Sequence, residues 1–290
     1  MADAQLAATL KRAILLAVVG EGILSLMDAI VKLQSAHYPV LQISFLRFAA
    51  GSLFAVVMFV ASGTRWPSAE SVRFNAVRSL VGVGASVSFF TGLSLLPLAE
   101  ATAISFAAPL ILALMGVVFL GERFGPRIGL ALLAGFVGML VIVGGQMGGG
   151  SYTARSLQGA LAVLASTVFY ALFMILLRLR ANHDGVPTLL LFQNAGPALI
   201  LALPAAYVWQ TPEFADVGRF LLIGLLGVGG HTFMIKAFAQ AETARLAPVH
   251  YLALVWGTLY GWLFFGNLPG VATVAGAGFV VIATLLARKH

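Results

Sequence analysis

The sequence predicts an all-α integral membrane protein, with ten transmembrane helices arranged as two inverted five-helix repeats. Three observations predict it. Of 290 residues, 60% are hydrophobic and only 9% are charged, against about 25% charged in an ordinary soluble domain, so the chain lacks the charge to cover a water-facing surface. Uncharged runs such as 101–121, 128–154, 156–177 and 185–212 each reach the roughly 20 residues that cross a bilayer. A glycine-rich stretch, Gly144 to Ser151, divides the apolar content into two sets of five spans. Ten spans leave no room for a sizeable extramembrane domain, which excludes a soluble enzyme, a nucleic-acid binder and a receptor with a folded ectodomain. Helices are expected throughout, because lipid offers no partner to backbone N–H and C=O groups, and a barrel would show short alternating segments instead.

In chain order, the first repeat (1–145) holds spans at 13–31, 39–61, 74–96, 98–120 and 126–145. The linker occupies 146–156, and the second repeat (157–290) holds spans at 157–177, 187–208, 217–239, 244–265 and 270–287. Lys11 and Arg12 precede the first apolar run, which leads to no small-residue cleavage site, so it reads as a retained span. With both termini cytoplasmic, eleven Lys and Arg residues fall on the cytoplasmic side and three (Lys32, Arg155, Arg219) outside, a positive-inside bias. The net charge of +7 therefore reports orientation rather than affinity for nucleic acid. Cysteine is absent, so there is no disulfide and no thiolate site. No cofactor or metal is expected, and the partners are membrane lipid and a small-molecule substrate.

The halves echo each other. Leu98-Ala99-Glu100-Ala101-Thr102-Ala103 and Gln240-Ala241-Glu242-Thr243-Ala244 both join the third and fourth spans of their half, and at this offset of 142 Gly82 falls on Gly224, Ala85 on Gly227 and Phe89 on His231. Leu120-Gly121-Glu122 closes the fourth span and Phe265-Gly266-Asn267 the ninth. Five spans per repeat force the second copy to enter from the opposite face, and inverted repeats around a midplane site are the architecture of secondary transporters.

These residues resemble the EamA-type transporters of the drug/metabolite transporter superfamily. The resemblance is carried by Arg47-Phe48, Leu95-Leu96-Pro97-Leu98-Ala99-Glu100-Ala101, Ala108-Pro109-Leu110 and Phe119-Leu120-Gly121-Glu122, with Ala241-Glu242-Thr243-Ala244 and Ala247-Pro248-Val249 repeating the pattern. Asn267 stands where the family usually has a second Gly-Glu. The resemblance implies a ten-span exporter of small metabolites in a bacterial inner membrane, with bacterial amino-acid exporters among its relatives. It also implies a central cavity between spans 1 to 4 and 6 to 9.

A charge at a helix centre costs about 2.5–3.5 kcal/mol, so each embedded one is a candidate for function. Glu21, Ser25, Asp28 and Lys32 share one stripe of span 1. This stripe must face the interior, with Glu21 and Asp28 as candidate proton-coupling groups, or else as structural partners of a buried arginine. Gly20 and Gly22 allow a ligand or a helix to approach Glu21. On span 3, Arg78, Gly82, Ala85 and Phe89 share a face, matched on span 8 by Phe220, Gly224, Gly227 and His231. Phe89 and His231 are expected to line the cavity, and His231 titrates close enough to neutrality to carry a proton.

Arg47 on span 2 and Gln193-Asn194 on span 7 can hold a carboxylate or an amide, although Arg47 equally suits a lock between helices or a pairing with Asp28. Arg78, near the cytoplasmic end of its span, is a further candidate and can also snorkel to the interface. Tyr170, Tyr251 and Trp256 offer aromatic faces to a substrate, or serve packing. Pro109 and Pro248 remove backbone donors within spans 4 and 9 and are candidate gating bends. The function expected is a secondary transporter exporting small metabolites, amino acids foremost, by alternating access. A multidrug efflux carrier is the alternative within the fold. An intramembrane enzyme is weakly supported, since the five histidines are scattered and no His-Glu-x-x-His pattern occurs.

Overall fold

The computed structural model describes residues 2–96, 98–105, 107–121, 125–126, 129–130, 132–134, 136–137, 154–180, 183–241, 246, 249–250, 252–266, 275 and 278. Among these the regular elements are all helical: α1 (Ala2–Gln34), α2 (Val40–Ala61), α3 (Ala69–Leu95), α4 (Leu98–Ser105), α5 (Ala107–Leu120), α6 (Ala154–Arg180), α7 (Val186–Tyr207), α8 (Phe214–Phe238) and α9 (Leu252–Phe265). Six of them, counting α1 from Ala8 together with α2, α3, α6, α7 and α8, are long and apolar enough to cross a membrane. They coincide with predicted spans 1, 2, 3, 6, 7 and 8. Tyr251, Pro248, residues 146–153 of the linker, nearly all of span 10 and much of span 5 lie outside the described residues, and residues 154–156 of the expected linker belong to α6.

Local chemistry sets the element ends. The Ser68 hydroxyl accepts the Ser71 N–H at 3.2 Å and caps α3. Pro39 and Pro187 mark the starts of α2 and α7, where a missing N–H costs nothing. Gly121 and Gly266, directly after α5 and α9, have φ of +64° and +68°, the left-handed conformation that ends a helix cheaply only at glycine. The two Leu/Phe-Gly endings seen in the sequence therefore do the same job in both halves.

Helix packing follows an exchange of the halves. The most extensive pairings are α3 with α6 and α1 with α8, each the image of the other; α2 packs on α7, its own counterpart. The α2–α8 pair is mirrored by α3–α7, and α1–α9 by α5–α6. The two long crossings are built alike. A Cβ added at Gly230 would come within 2.6 Å of Leu24 and 3.2 Å of the Gly20 carbonyl, and one added at Gly92 would meet Val163 and, at 3.3 Å, the Gly159 carbonyl. Small residues here let backbones touch, which is how helices associate where no hydrophobic drive exists. This geometry sets Gly92 against Gly230, whereas the gapless sequence offset sets it against Met234. In these crossings the repeats are therefore aligned one helical turn away from that offset, and Phe89 and His231 are not exact mates.

Both ends of the bundle are tied by polar contacts between the halves. At one end the Tyr38 hydroxyl donates to Asp216 at 2.7 Å, and Gln42 exchanges hydrogen bonds with the Gln210 backbone at 2.5 and 2.8 Å. At the other, Ser71 and Asn75 donate to Asp184 at 2.8 and 3.0 Å, and Arg180 pairs with Glu70 at 2.6 Å. Within each half a cation closes a helix end. Lys32 donates to the Leu93 and Leu96 carbonyls at 2.6 and 2.7 Å, and Arg178 donates to the Phe238 carbonyl, satisfying C-terminal carbonyls and the helix dipole. Outward faces expose Leu53, Val57, Val60, Leu80, Leu199 and Leu203, as lipid requires. Trp66, Tyr207 and Phe214, exposed at 70%, 93% and 97%, stand at element ends where interfacial aromatic residues collect.

Candidate functional site

Between the halves lies a cavity of about 180 Å³, lined from α1, α2, α3, α4, α5, α6, α8 and α9. It exceeds the roughly 150 Å³ cavity that holds benzene in an engineered protein, so it can seat a small organic group. Glu21, the central residue of the Ala8–Gln34 span, faces it together with Ser25 and Asp28, as the four-three spacing on α1 requires. Arg47, Phe89, Tyr170 and His231 also line it. A smaller space of about 50 Å³ shares Arg47, Tyr170 and His231 with the first and extends it to Gln193 and Phe173. The polar remainder comprises Ser86, Ser105, Ser166 and Thr167, set among Leu24, Met27, Phe90 and Ala253.

One charged group is paired. The Glu21 carboxylate touches His250 Nδ1, which also lies 3.3 Å from the Tyr170 hydroxyl. The Tyr170 and His250 rings meet edge-on at 5.5 Å, and Phe238 stacks on the other side of the imidazole at 6.3 Å. His250 sits in a 3₁₀ turn just before α9. Sequence reasoning counted it only among scattered histidines. Its one signal was its place two residues after the intramembrane Pro248, where a broken helix can turn a side chain inward.

The other charges are differently placed. Arg47 is buried, its Nε donates weakly to Met27 Sδ at 3.3 Å, and its guanidinium lies 4.2 Å from the Phe48 ring centroid. Its Nη1 has no hydrogen-bond partner among the described residues. Asp28 is partly exposed and lines the same cavity, yet among the described residues no ion pair joins it to Arg47. The suggested Arg47–Asp28 lock is thus not formed. His231 binds the Gly227 carbonyl through Nδ1 at 2.8 Å, which makes that nitrogen the donor and leaves Nε2 as an acceptor toward the cavity.

Several candidates turn elsewhere. Arg78 does not snorkel: it is fully buried, bonded to Asn75 Oδ1 at 3.1 Å, Gln193 Oε1 at 3.4 Å and the Leu189 carbonyl at 2.7 Å, and 5.2 Å from the Phe173 centroid. It locks α3 to α7 and is absent from the cavity lining. Asn194 donates to the Leu190 carbonyl at 2.8 Å and packs on Gly51 in the α2–α7 crossing. Trp256 packs on Gly22 and stacks on Tyr260 at 6.1 Å, so a helix rather than a ligand uses the space that Gly22 leaves. Gly20 likewise receives α8. Pro109 lies within α5. Among the described residues no three metal-binding side chains converge.

Comparisons with known proteins agree with this architecture. Residues 11–144 and 157–288 each match the EamA-like transporter family. The pseudopaline exporter of Pseudomonas aeruginosa is 28% identical over 280 residues, covering 95% of both chains. The S-adenosylmethionine uptake transporter of Rickettsia prowazekii is 23% identical over 261 residues, covering 90% of this chain and 87% of the relative. The riboflavin transporter of Rhizobium johnstonii is 29% identical over 262 residues, covering 87% and 82%. One solved crystal structure shares the fold, with a TM-score of 0.77 at 21% identity over 93% of this chain and 97% of its own.

Proposed function

Because the chain belongs to the EamA-like transporter family, with one family repeat in each half, we propose that it exports small metabolites, amino acids foremost, by alternating access. It is a multi-pass membrane transporter and not an enzyme. Its membrane is the bacterial inner membrane, with both termini cytoplasmic, as the eleven-to-three distribution of basic residues favours.

The observation that carries the reading is the cavity at mid-depth, shared by both halves and holding Glu21, Asp28 and Arg47 together. A buried guanidinium with no carboxylate at hydrogen-bonding distance is costly, and a substrate that brings a negative group to Arg47 and a positive one to Asp28 answers both. Movement is supported by the ties at the two ends. The Tyr38–Asp216 and Gln42–Gln210 contacts and the Ser71–Asp184 and Arg180–Glu70 contacts all bridge the halves. Releasing one set while keeping the other opens the cavity to one face, the rocking of one repeat against its partner. Relatives named for a pseudopaline exporter and for S-adenosylmethionine uptake support a small-metabolite cargo, the latter with methionine in its name.

Purified protein in liposomes should give saturable uptake of a labelled amino acid that speeds up when unlabelled substrate is trapped inside. No counterflow across a broad panel of metabolites would overturn the transporter reading.

A further inference from the structure

We infer that the Arg47 end of the cavity is a seat for a zwitterion, in which Arg47 takes a carboxylate and Asp28 takes a cationic amine of the same molecule. The inference rests on the transporter reading and adds which chemical group each residue holds.

Four features of the cavity carry it. Arg47 is 5% exposed and its Nη1 lacks a partner among the described residues, although a guanidinium has five donors to satisfy. Its remaining close neighbours are weak: a thioether and a phenyl face. Asp28 opens on the same space and makes no hydrogen bond or ion pair with any described residue. The two opposite charges feel each other across one small cavity but form no ion pair, so both line the space without closing on each other.

The chemistry around the pair fits a short amino-carboxylate head. A planar guanidinium recognises a carboxylate through two parallel N–H donors, and a carboxylate such as Asp28 accepts from an ammonium. Ser25 and Ser86 stand beside them as small hydroxyls, while Met27, Phe89 and Phe90 supply apolar walls for a side chain. Glu21 also lines the cavity, with Oε1 against His250. His231, with Nδ1 held by the Gly227 carbonyl, turns an acceptor toward the cavity.

The test uses matched sets of compounds against the full-length protein. Leucine and methionine are compared with their amides, which lack the carboxylate, and with the corresponding 2-hydroxy acids, which lack the amine. Each compound competes for counterflow in liposomes and is also scored by the thermal shift it gives the purified protein in detergent. Loss of either charge should weaken competition roughly 10- to 100-fold, the worth of a hydrogen bond to a charged group. In Arg47→Gln the amino acid and its amide should become nearly equal, and in Asp28→Asn the amino acid and its hydroxy acid should. Equal competition by all three compounds in the unaltered protein overturns the zwitterion seat. So does an unchanged ratio in a variant that still gives a thermal transition. Counterflow of other metabolites, untouched by leucine and methionine, overturns the seat and leaves the transporter reading intact. If no compound gives counterflow, the transporter reading fails, and the thermal shifts still decide the seat: a shift with the amino acids but not their analogues supports it, and no shift with any of them overturns it.

Discussion

The two ends of the cavity treat their charges differently. Toward α9, Glu21 is in contact with His250, which is in turn close to Tyr170 and stacked on Phe238. Toward α2, Arg47 and Asp28 line the same space and interact only through it, with no hydrogen bond or ion pair between them. A carboxylate and an imidazole in contact are both proton-carrying groups that already have each other as neighbours. A guanidinium and a carboxylate that share a cavity without an ion pair gain from a ligand that carries both complementary charges. The difference separates a place suited to proton exchange from a place suited to cargo, within one cavity lined by both repeats.

The largest effect should come from breaking the cargo end. Arg47→Gln should lower the initial rate of amino-acid counterflow at subsaturating substrate by roughly 100-fold; an unchanged rate would erase the distinction between the ends. At the other end, Glu21 shares the cavity with Asp28, Arg47, Tyr170, His231 and His250. Glu21→Gln should flatten the pH dependence of net transport while exchange persists, and it should lower net flux. His250→Ala should do the same, and the double variant should be little worse than either single one, because groups in one network do not add. A pH profile that survives both substitutions would assign the pair to packing.

The boundary between site and scaffold was partly written in the sequence. The spacing of Glu21, Ser25 and Asp28 named the face of α1 that meets the cavity, because helical period alone decides which side chains share a face. Phe89 and His231 follow from the same period, as bulky groups beside small ones, whereas Arg47 stands out as an embedded charge and Tyr170 as an aromatic face. Periodicity does not say which neighbour a face meets. Arg78, Asn194 and Trp256 sit on interior faces as expected, but those faces meet α7, α2 and α1 rather than the cavity. His250 escaped because it lies in a 3₁₀ turn after a proline, where the period of the helix no longer applies. The inverted repeat was legible from the linker and the paired motifs. Its register along α3 and α8 was not, since two helices can slip by a turn while their connecting loops still align.

The smallest effect on selectivity, and the clearest on stability, should follow from Arg78→Gln. Removing a fully buried cation leaves Asn75 Oδ1, Gln193 Oε1 and the Leu189 carbonyl unanswered, and this should lower Tm by roughly 5–10 °C. The order of preference among substrates should stay as it is. A change in that order would bring Arg78 back into the site.

In the proposed alternating-access cycle, one cavity shared by both repeats opens to either side and is filled by the cargo. The chain's lack of cysteine makes this directly measurable. Ser86→Cys places a single thiol on the lining of both the larger and the smaller space. A membrane-impermeant maleimide applied to one face of the membrane at a time should label it from each, and leucine or methionine should slow the labelling from both. Labelling confined to one face, or a rate indifferent to substrate, would rule out alternating access through this cavity.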